Sequence, residues 1–392
     1  MIEFPLQGYG PTGPVGGDEG GWGKSLDMRE YLSPRRLTAA MWDYTFLTRH
    51  VPGESFQDYD RVLDETVDRG YNTIRIDPCP QAIDLSRPEA VIDHSDFNEP
   101  YIPWTNPRGF KGPAGQWLIE FMQKLQDRKF HYILSAWWGP IPPVLGEVRS
   151  MEQVAQRWLP MLRQWEKRFG FDGLVFVDLV NEFPYFLPGY VDQLNALEGG
   201  WYGQAGRKKI AGEINAAMDV MRREFPQLRF TVSMHGDIRW LDVNVELDAL
   251  DVHFYADADR RWDKRTRFGE HMPRFYKDTE WHAEFSDRCA KSHRAMAPMY
   301  RACQRAKLAQ FARWSAQKGM PLITTESWAA WYYIDSPNLD WGWLLEWASW
   351  SVEDAIDMRM WGWTPHNYCQ PQFANWKDVA WHRRLTEKFL AS

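Results

Sequence analysis

HYILSA at His131–Ala136, MEQVAQRWLPMLRQWEKR at Met151–Arg168 and GLVFVDLV at Gly173–Val180 read as strand, helix and strand. The outer two runs are short and almost continuously apolar, as in strands covered on both faces, while the middle one carries a helical period. Working outward, the same alternation recurs. Upstream lie a strand near Ala39–Phe46, a helix opened by Ser55 with Asp58 as capping-box partner and ended by Gly70, a strand at Asn72–Asp77 and a helix near Gly115–Arg128. Downstream come a helix at Ile210–Phe225, strands at Arg229–Met234 and Ala249–Phe254 with a short helical stretch around Trp240 between them, and a long helix over Ala295–Lys318. Strands at Pro321–Thr325 and Ile356–Trp361 and a helix at Trp376–Leu390 complete the chain.

Eight strand candidates, each followed by a helical stretch, predict an α/β fold of the (β/α)8 barrel type, with an open doubly wound sheet as the alternative. No repeat or low-complexity linker divides residues 1–392, so one catalytic-sized domain is expected, preceded by a Gly/Pro-rich arm at 1–35. The barrel proper needs about 250 residues. The excess falls after strands, at about 78–113, 183–205, 255–294 and 327–345, which are the connections that build the active face of this fold.

Composition narrows the function. Trp numbers 23 among 392 residues and aromatics reach 15%, an excess suited to surfaces that are partly apolar and partly hydroxylated, as sugars are; core filling is the plainer use. A net charge of −7 argues against nucleic acid, and no apolar run is long enough to span a membrane. Cys79, Cys289, Cys303 and Cys369 show no C-x-x-C spacing and are expected as reduced thiols, and the N-terminus MIEFPLQGYGPTGP has no secretory pattern, so a cytoplasmic setting is expected. No nucleotide, zincin or nucleophile-elbow motif occurs, and no metal or organic cofactor is called for. A small-molecule carbohydrate is the expected partner; oligomeric state is not legible.

Two carboxylates end apolar strands: Glu182 closes LVFVDLVNE and Glu326 closes PLITTE. At the C-terminal end of a barrel strand a polar residue faces the mouth, where reacting groups sit. Glycoside hydrolysis needs two such acids, one protonated for the leaving oxygen and one ionised for attack.

Asn181-Glu182 after the fourth strand, His253-Phe254-Tyr255 on the sixth, Glu326 after the seventh, Trp361 at the eighth and Arg75 in NTIRID on the second resemble the clan A glycoside hydrolases, most nearly the family five cellulases and β-mannanases. That resemblance implies Glu182 as acid/base and Glu326 as nucleophile of a retaining double displacement. It further implies that Asn181 bonds the sugar 2-hydroxyl, Tyr255 donates to Glu326, Arg75 keeps that carboxylate ionised, His253 shares the site face with Tyr255, and Trp361 forms a sugar platform. The carboxyl groups would then stand about 5–5.5 Å apart, and the acid would need a raised pKa. Exo action on small oligosaccharides or glycosides is the expected mode.

Several readings stay open on the residues alone. Asn98-Glu99-Pro100 matches the family triplet better than Asn181-Glu182-Phe183, but no apolar strand leads into it. Where a histidine often follows the third strand, Trp137-Trp138 stand here, implying a differently shaped sugar site. Trp42 and Asp43 after the first strand are further binding candidates, as is Trp328 in the aromatic loop SWAAWYYIDSPNLDWGWLLEW, which could equally be packing. Arg75 with Asp77 could be a structural ion pair. Glu182, His235, His253 and Glu326 could ligate a divalent ion in a sugar-isomerase-type barrel, and a non-catalytic sugar-binding barrel is the remaining alternative.

Overall fold

The computed structural model describes residues 36–93, 111–138, 148–271, 275, 279–328 and 330–392. Its centre is a set of parallel strands. These are β1 (Leu37–Asp43), β2 (Thr73–Ile76), β3 (His131–Ser135), β4 (Leu174–Asp178), β5 (Phe230–Thr231, resumed at Met234–His235), β6 (Leu250–Tyr255), β7 (Leu322–Ile323, resumed at Ser327–Trp328) and β8 (Gly362–Trp363). Each pairs with the next, and β8 returns to β1 with Gly362 opposite Leu37 and Trp363 opposite Thr38. The ring is therefore closed, and the open-sheet alternative falls.

Helices α1 (Tyr59–Asp68), α2 (Ala114–Asp127), α3 (Met151–Phe169), α4 (Gln204–Glu224), α5 (His282–Lys318), α6 (Gly342–Asp357) and α7 (Val379–Leu390) follow strands β1–β4 and β6–β8. After β5 only a 3-10 turn, Ile238–Asp242, stands in that place. Among the described residues no helix is long and apolar enough to cross a membrane.

The two interrupted strands are instructive. In the gap of β5, the Ser233 N–H donates to Asp178 Oδ1 at 2.8 Å; in the gap of β7, the Thr325 N–H donates to Asp251 Oδ1 at 3.0 Å. Buried aspartates on the neighbouring strands replace the missing ladder partners, so the buried backbone stays satisfied where the ladder breaks.

Several boundaries differ from the sequence reading; α4, for one, begins at Gln204 rather than Ile210. α1 is capped by Asp58, whose side chain accepts from the Arg61 N–H at 3.1 Å, rather than by Ser55. β1 stops at Asp43, and Thr45–Thr48 turn into a short helix. α5 begins at His282 rather than Ala295, because its first turns bury His282, Cys289, Ser292 and His293, which carry no apolar period. The eighth strand is Gly362–Trp363, not Ile356–Trp361: Ile356 and Asp357 end α6, whose buried face (Trp343, Leu344, Trp347, Ala348, Ser351, Val352, Ala355) is helical in spacing.

Most of the tryptophan excess goes into this framework. Trp42, Trp158, Trp165, Trp240, Trp262, Trp328, Trp361 and Trp363 are among the largest fully buried side chains. Trp158 Nε1 and Trp165 Nε1 donate to Leu179 O and the Tyr132 hydroxyl, so their polar handles are spent internally. The aromatic loop before α6 packs likewise: Tyr332 stacks on Phe268 with ring centres 3.5 Å apart, and Trp341 approaches Phe275 and Tyr333. All four cysteines are free thiols.

Candidate active site

Period-2 alternation puts Asp43 of β1, Arg75 of β2, Asp178 of β4, and Asp251, His253 and Tyr255 of β6 on the inner wall of the barrel. Arg75 is the hub. Its guanidinium grips Asp43 through Nε–Oδ1 at 2.8 Å and Nη2–Oδ2 at 3.1 Å, donates to Thr325 Oγ1 and Asn181 Oδ1 at 2.7 Å, and reaches Glu326 Oε1 at 2.6 Å. All of these groups are buried, and a fully desolvated arginine is tolerated only because two carboxylates and two neutral acceptors satisfy its fork. Asp77, the partner suggested by spacing, instead accepts the N–H groups of Cys79 (2.7 Å) and Trp137 (2.8 Å).

Glu326 and Glu182 meet across this hub. Glu326 Oε2 accepts from the Tyr255 hydroxyl at 2.7 Å and from Asn367 Nδ2 at 3.3 Å. Glu182 Oε1 lies 2.9 Å from His253 Nδ1, and its Oε2 lies 3.4 Å from His235 Nε2. One oxygen from each glutamate and a ring nitrogen of His253 fall within 4.8 Å of one another. Both strand-end acids Asp43 (φ +44°) and Glu182 (φ +46°) adopt the left-handed region, a local strain on the order of 1 kcal/mol apiece, with the Glu182 N–H held by Ser233 Oγ at 2.9 Å.

The electrostatics follow from burial and neighbours. Burial pushes the Asp43 carboxyl up to about 7 against the pull of Arg75, with Glu326 adding to the rise; burial likewise takes Asp77 to about 8 and Asp178 to about 6. His253 is raised to about 10: burial opposes its charge, but Glu326, Asp251 and Glu182 outweigh that cost. Glu182 runs opposite to the sequence expectation. Burial favours its protonated form, yet His235 and His253 hold it well below the usual carboxylate range, so in the free protein the shared proton rests on the imidazoles.

The predicted site residues therefore divide. Glu182, Glu326, Arg75, Asn181, His253, Tyr255 and Asp43 converge, and Trp137 joins them by donating its indole N–H to Asp43 Oδ2 at 2.9 Å. Four tryptophans do not. Trp42 faces the helix layer, its indole N–H on Cys369 O and its ring against Phe56 and Phe121, because it alternates with the inward Asp43. Trp138 donates to Leu179 O at 2.8 Å, and Trp328 stacks on Phe254 with its N–H on Thr364 O. Trp361 lies at the opposite end of the barrel with Leu37, Ile133, Val175, Phe176, Ala249 and Ile323, since it precedes β8 instead of ending it. Glu99, the rival acid, lies outside the described residues.

Asn367 was missed. It donates to the Tyr255 hydroxyl at 2.8 Å and to Glu326, and its Oδ1 accepts the Ser327 N–H at 2.8 Å. With the eighth strand set six residues too early, the polar run Thr364–Asn367 fell past the barrel, although polar residues directly after a strand were the signal that found Glu182. Asp251, Thr325 and Ser233, which support His253 and Asn181, were also unread because they sit inside apolar-looking runs.

A divalent ion placed among Glu182, His253 and Glu326 would compete directly with charges already present. The Arg75 guanidinium stands 2.6 Å from Glu326 Oε1, and Glu182 faces two histidines with raised proton affinity.

A closed parallel barrel whose fourth and seventh strands lead into facing glutamates defines a cellulase-like barrel. The chain belongs to the cellulase-like family described as sugar-binding cellulase-like, which it matches over residues 39–390. An unconfirmed glycoside hydrolase from Parabacteroides distasonis superposes with a TM-score of 0.77 at 25% identity, over 91% of this chain and 94% of that one. The hyperthermophilic endocellulase of Pyrococcus horikoshii shares the fold at a TM-score of 0.51 and 12% identity, over 90% and 92%. No curated protein matches the chain significantly.

Proposed function

We propose that the protein is a retaining β-glycoside hydrolase acting on small oligosaccharides or glycosides. The facing of Glu182 and Glu326, with one oxygen of each inside a cluster 4.8 Å across, carries this reading, because it leaves less room than the roughly 6.5 Å or more that an inverting water needs. Glu326, paired with Arg75 and oriented by Tyr255 and Asn367, attacks the anomeric carbon. The glycosidic bond breaks, its oxygen takes the proton delivered by Glu182, and a glycosyl ester forms on Glu326. Glu182 then removes a proton from water, which displaces the sugar from Glu326 and regenerates both groups.

The low proton affinity of free Glu182 fits this cycle if substrate entry displaces His235. That contact is the long one, 3.4 Å, and the His235 side chain is 29% exposed. Losing that contact removes part of what holds Glu182 down and moves it toward the protonated form an acid needs. Asn181 supports the same assignment: its Oδ1 is fixed by Arg75 while its Nδ2 is buried without a protein partner, a donor available to a sugar hydroxyl.

The test is a screen of aryl β-glycosides of glucose, galactose, mannose, fucose and arabinose, followed by trapping with the 2-fluoro analogue of the best substrate. A covalent adduct on Glu326 is expected. An adduct elsewhere, or inversion of the released sugar, would refute the mechanism. Release of long oligomers from polysaccharide would remove the exo reading. Activity lost on chelation and restored by Mn²⁺ would favour the metal-dependent alternative built on Glu182, His253 and Glu326.

A further inference from the structure

One nitrogen of the Arg75 guanidinium has more acceptors than hydrogens. Nη2 carries two hydrogens and faces Asp43 Oδ2 at 3.1 Å, Asn181 Oδ1 at 2.7 Å and Glu326 Oε1 at 2.6 Å. Nε and Nη1 are engaged elsewhere, on Asp43 Oδ1 at 2.8 Å and Thr325 Oγ1 at 2.7 Å. Asp43 and Glu326 therefore draw on the same nitrogen. We propose that Asp43 is a positioning residue which, by taking part of the Arg75 charge, keeps Glu326 reactive as the attacking carboxylate. This rests on the hydrolase reading above and adds to it a residue that acts through Arg75.

The end of β1 is shaped for this contact. Its register against β2 slips by one residue, with Met41 opposite Arg75 and then Asp43 opposite Ile76, and Asp43 takes φ +44°. Irregularities of this kind re-aim a side chain beside a working site. The Asp43 carboxyl is fully buried, and its hydrogen-bond neighbours among the described residues are all donors: Arg75 Nε on Oδ1, and Arg75 Nη2 with Trp137 Nε1 (2.9 Å) on Oδ2. Three donors suit an ionised acceptor. Trp137 is itself pinned, its backbone N–H on Asp77 Oδ2 at 2.8 Å and its ring centre 4.2 Å from that of Phe186. The two-pronged grip of Asp43 fixes the plane of the guanidinium, so that Glu326 receives a single prong.

This sharing has a chemical direction. If Asp43 loses its charge, its share of Nη2 passes to Glu326, and more of the cation falls on that carboxylate. A carboxylate held more firmly as an anion attacks more slowly. It also departs more readily when water displaces the sugar, since the same ion pair re-forms as the ester bond breaks. The two half-reactions should then respond in opposite senses. A residue that only shapes the site would slow both, because Glu326 must stand in the same place for each.

The experiment times the half-reactions separately with the 2-fluoro glycosyl fluoride of the sugar that wild type accepts best. Loss of activity reports attack by Glu326, and recovery of the isolated, labelled protein reports release. Assays run well above the value of about 7 to which burial raises Asp43, so that it is ionised. In Asp43→Asn, folded as judged by its melting temperature, inactivation should slow while reactivation holds or quickens, so that the ratio of the two rate constants falls at least about tenfold. Should that variant not fold, Trp137→Phe decides: it strips one donor from Asp43 Oδ2, leaves more of that oxygen for Arg75, and should raise the ratio about threefold. A folded Asp43→Asn in which both rate constants fall by the same factor or neither moves, or in its absence a Trp137→Phe with an unmoved ratio, overturns this inference alone. A wild-type protein that the reagent neither inactivates nor labels at Glu326 removes the hydrolase reading and this inference with it.

Discussion

The two ends of the barrel are made by the same eight strands and differ in every chemical respect. At the N-terminal end, Leu37, Ile133, Val175, Phe176, Ala249, Ile323 and Trp361 close the interior as a small apolar plug. At the C-terminal end the same alternation delivers Asp43, Arg75, Asn181, His253, Tyr255 and Glu326, all buried and joined by hydrogen bonds. Apolar packing at one end supplies stability that the other end spends on desolvated charge. The lesson is that the inner wall of one sheet can be partitioned by height, with the strand ends deciding what each level does.

That partition can be broken in four ways. The largest effect is expected from Glu326→Gln, which should lower kcat at least about 10⁴-fold while the melting temperature holds or rises; parallel measurement of Glu182→Gln and Glu99→Gln tests the acid, and turnover lost only in the latter would reassign it. Trp361→Ala should do the reverse. It removes a fully buried ring from the plug and should cost about 3–5 kcal/mol in urea unfolding, with kcat of the folded protein within threefold of wild type. A tenfold fall in kcat at unchanged stability would restore Trp361 to the site.

Tyr255→Phe removes a hydroxyl that donates to Glu326 and accepts from Asn367, an effect of about 1.5–3 kcal/mol, read as a 10- to 100-fold fall in kcat/KM carried mainly by kcat. The smallest effect concerns pH. His366, next to Asn367 in the loop after β8, accepts the Tyr368 N–H on Nδ1 at 2.9 Å and lies 2.8 Å from Asn375 Oδ1 through Nε2, an arrangement that needs the neutral ring. Burial lowers it to about 4 from 6.5, so between those values the unfolded chain binds a proton that the folded one refuses. The stability it contributes is present above 6.5 and lost as pH falls through 4. The change in unfolding free energy between pH 7 and pH 5 should therefore differ between wild type and His366→Gln by about 2 kcal/mol. Equal slopes would show that the ring is protonated in the folded protein.

Legibility followed the same division by height. Seven of the strand positions could be read because each is an apolar run between turn residues, and Glu182 and Glu326 stood out as carboxylates directly behind such runs. The eighth could not, because Gly362–Trp363 is only two residues long and follows a helix whose last turn, with Ile356 and Met358 beside it, imitates a strand. Losing that strand moved Trp361 to the wrong end and hid Asn367. Aromatic residues were the other weak point: composition pointed to sugar faces, but Trp42, Trp138 and Trp328 each spend their N–H on a backbone carbonyl.

The sequence by itself determined the alternation of strands and helices, and with it the barrel and the two acids that end its fourth and seventh strands, because periodicity and strand-end polarity are local properties of the chain. Tertiary structure alone decided which inward groups share a charge network. Arg75 meets Asp43, Asn181 and Glu326, from four different strands or strand ends, only when the ring closes, and the proton affinity of Glu182 depends on two histidines brought in by β5 and β6. Electrostatic energy depends on distance in space, and no pattern along one strand reports the distance to the strand across the barrel.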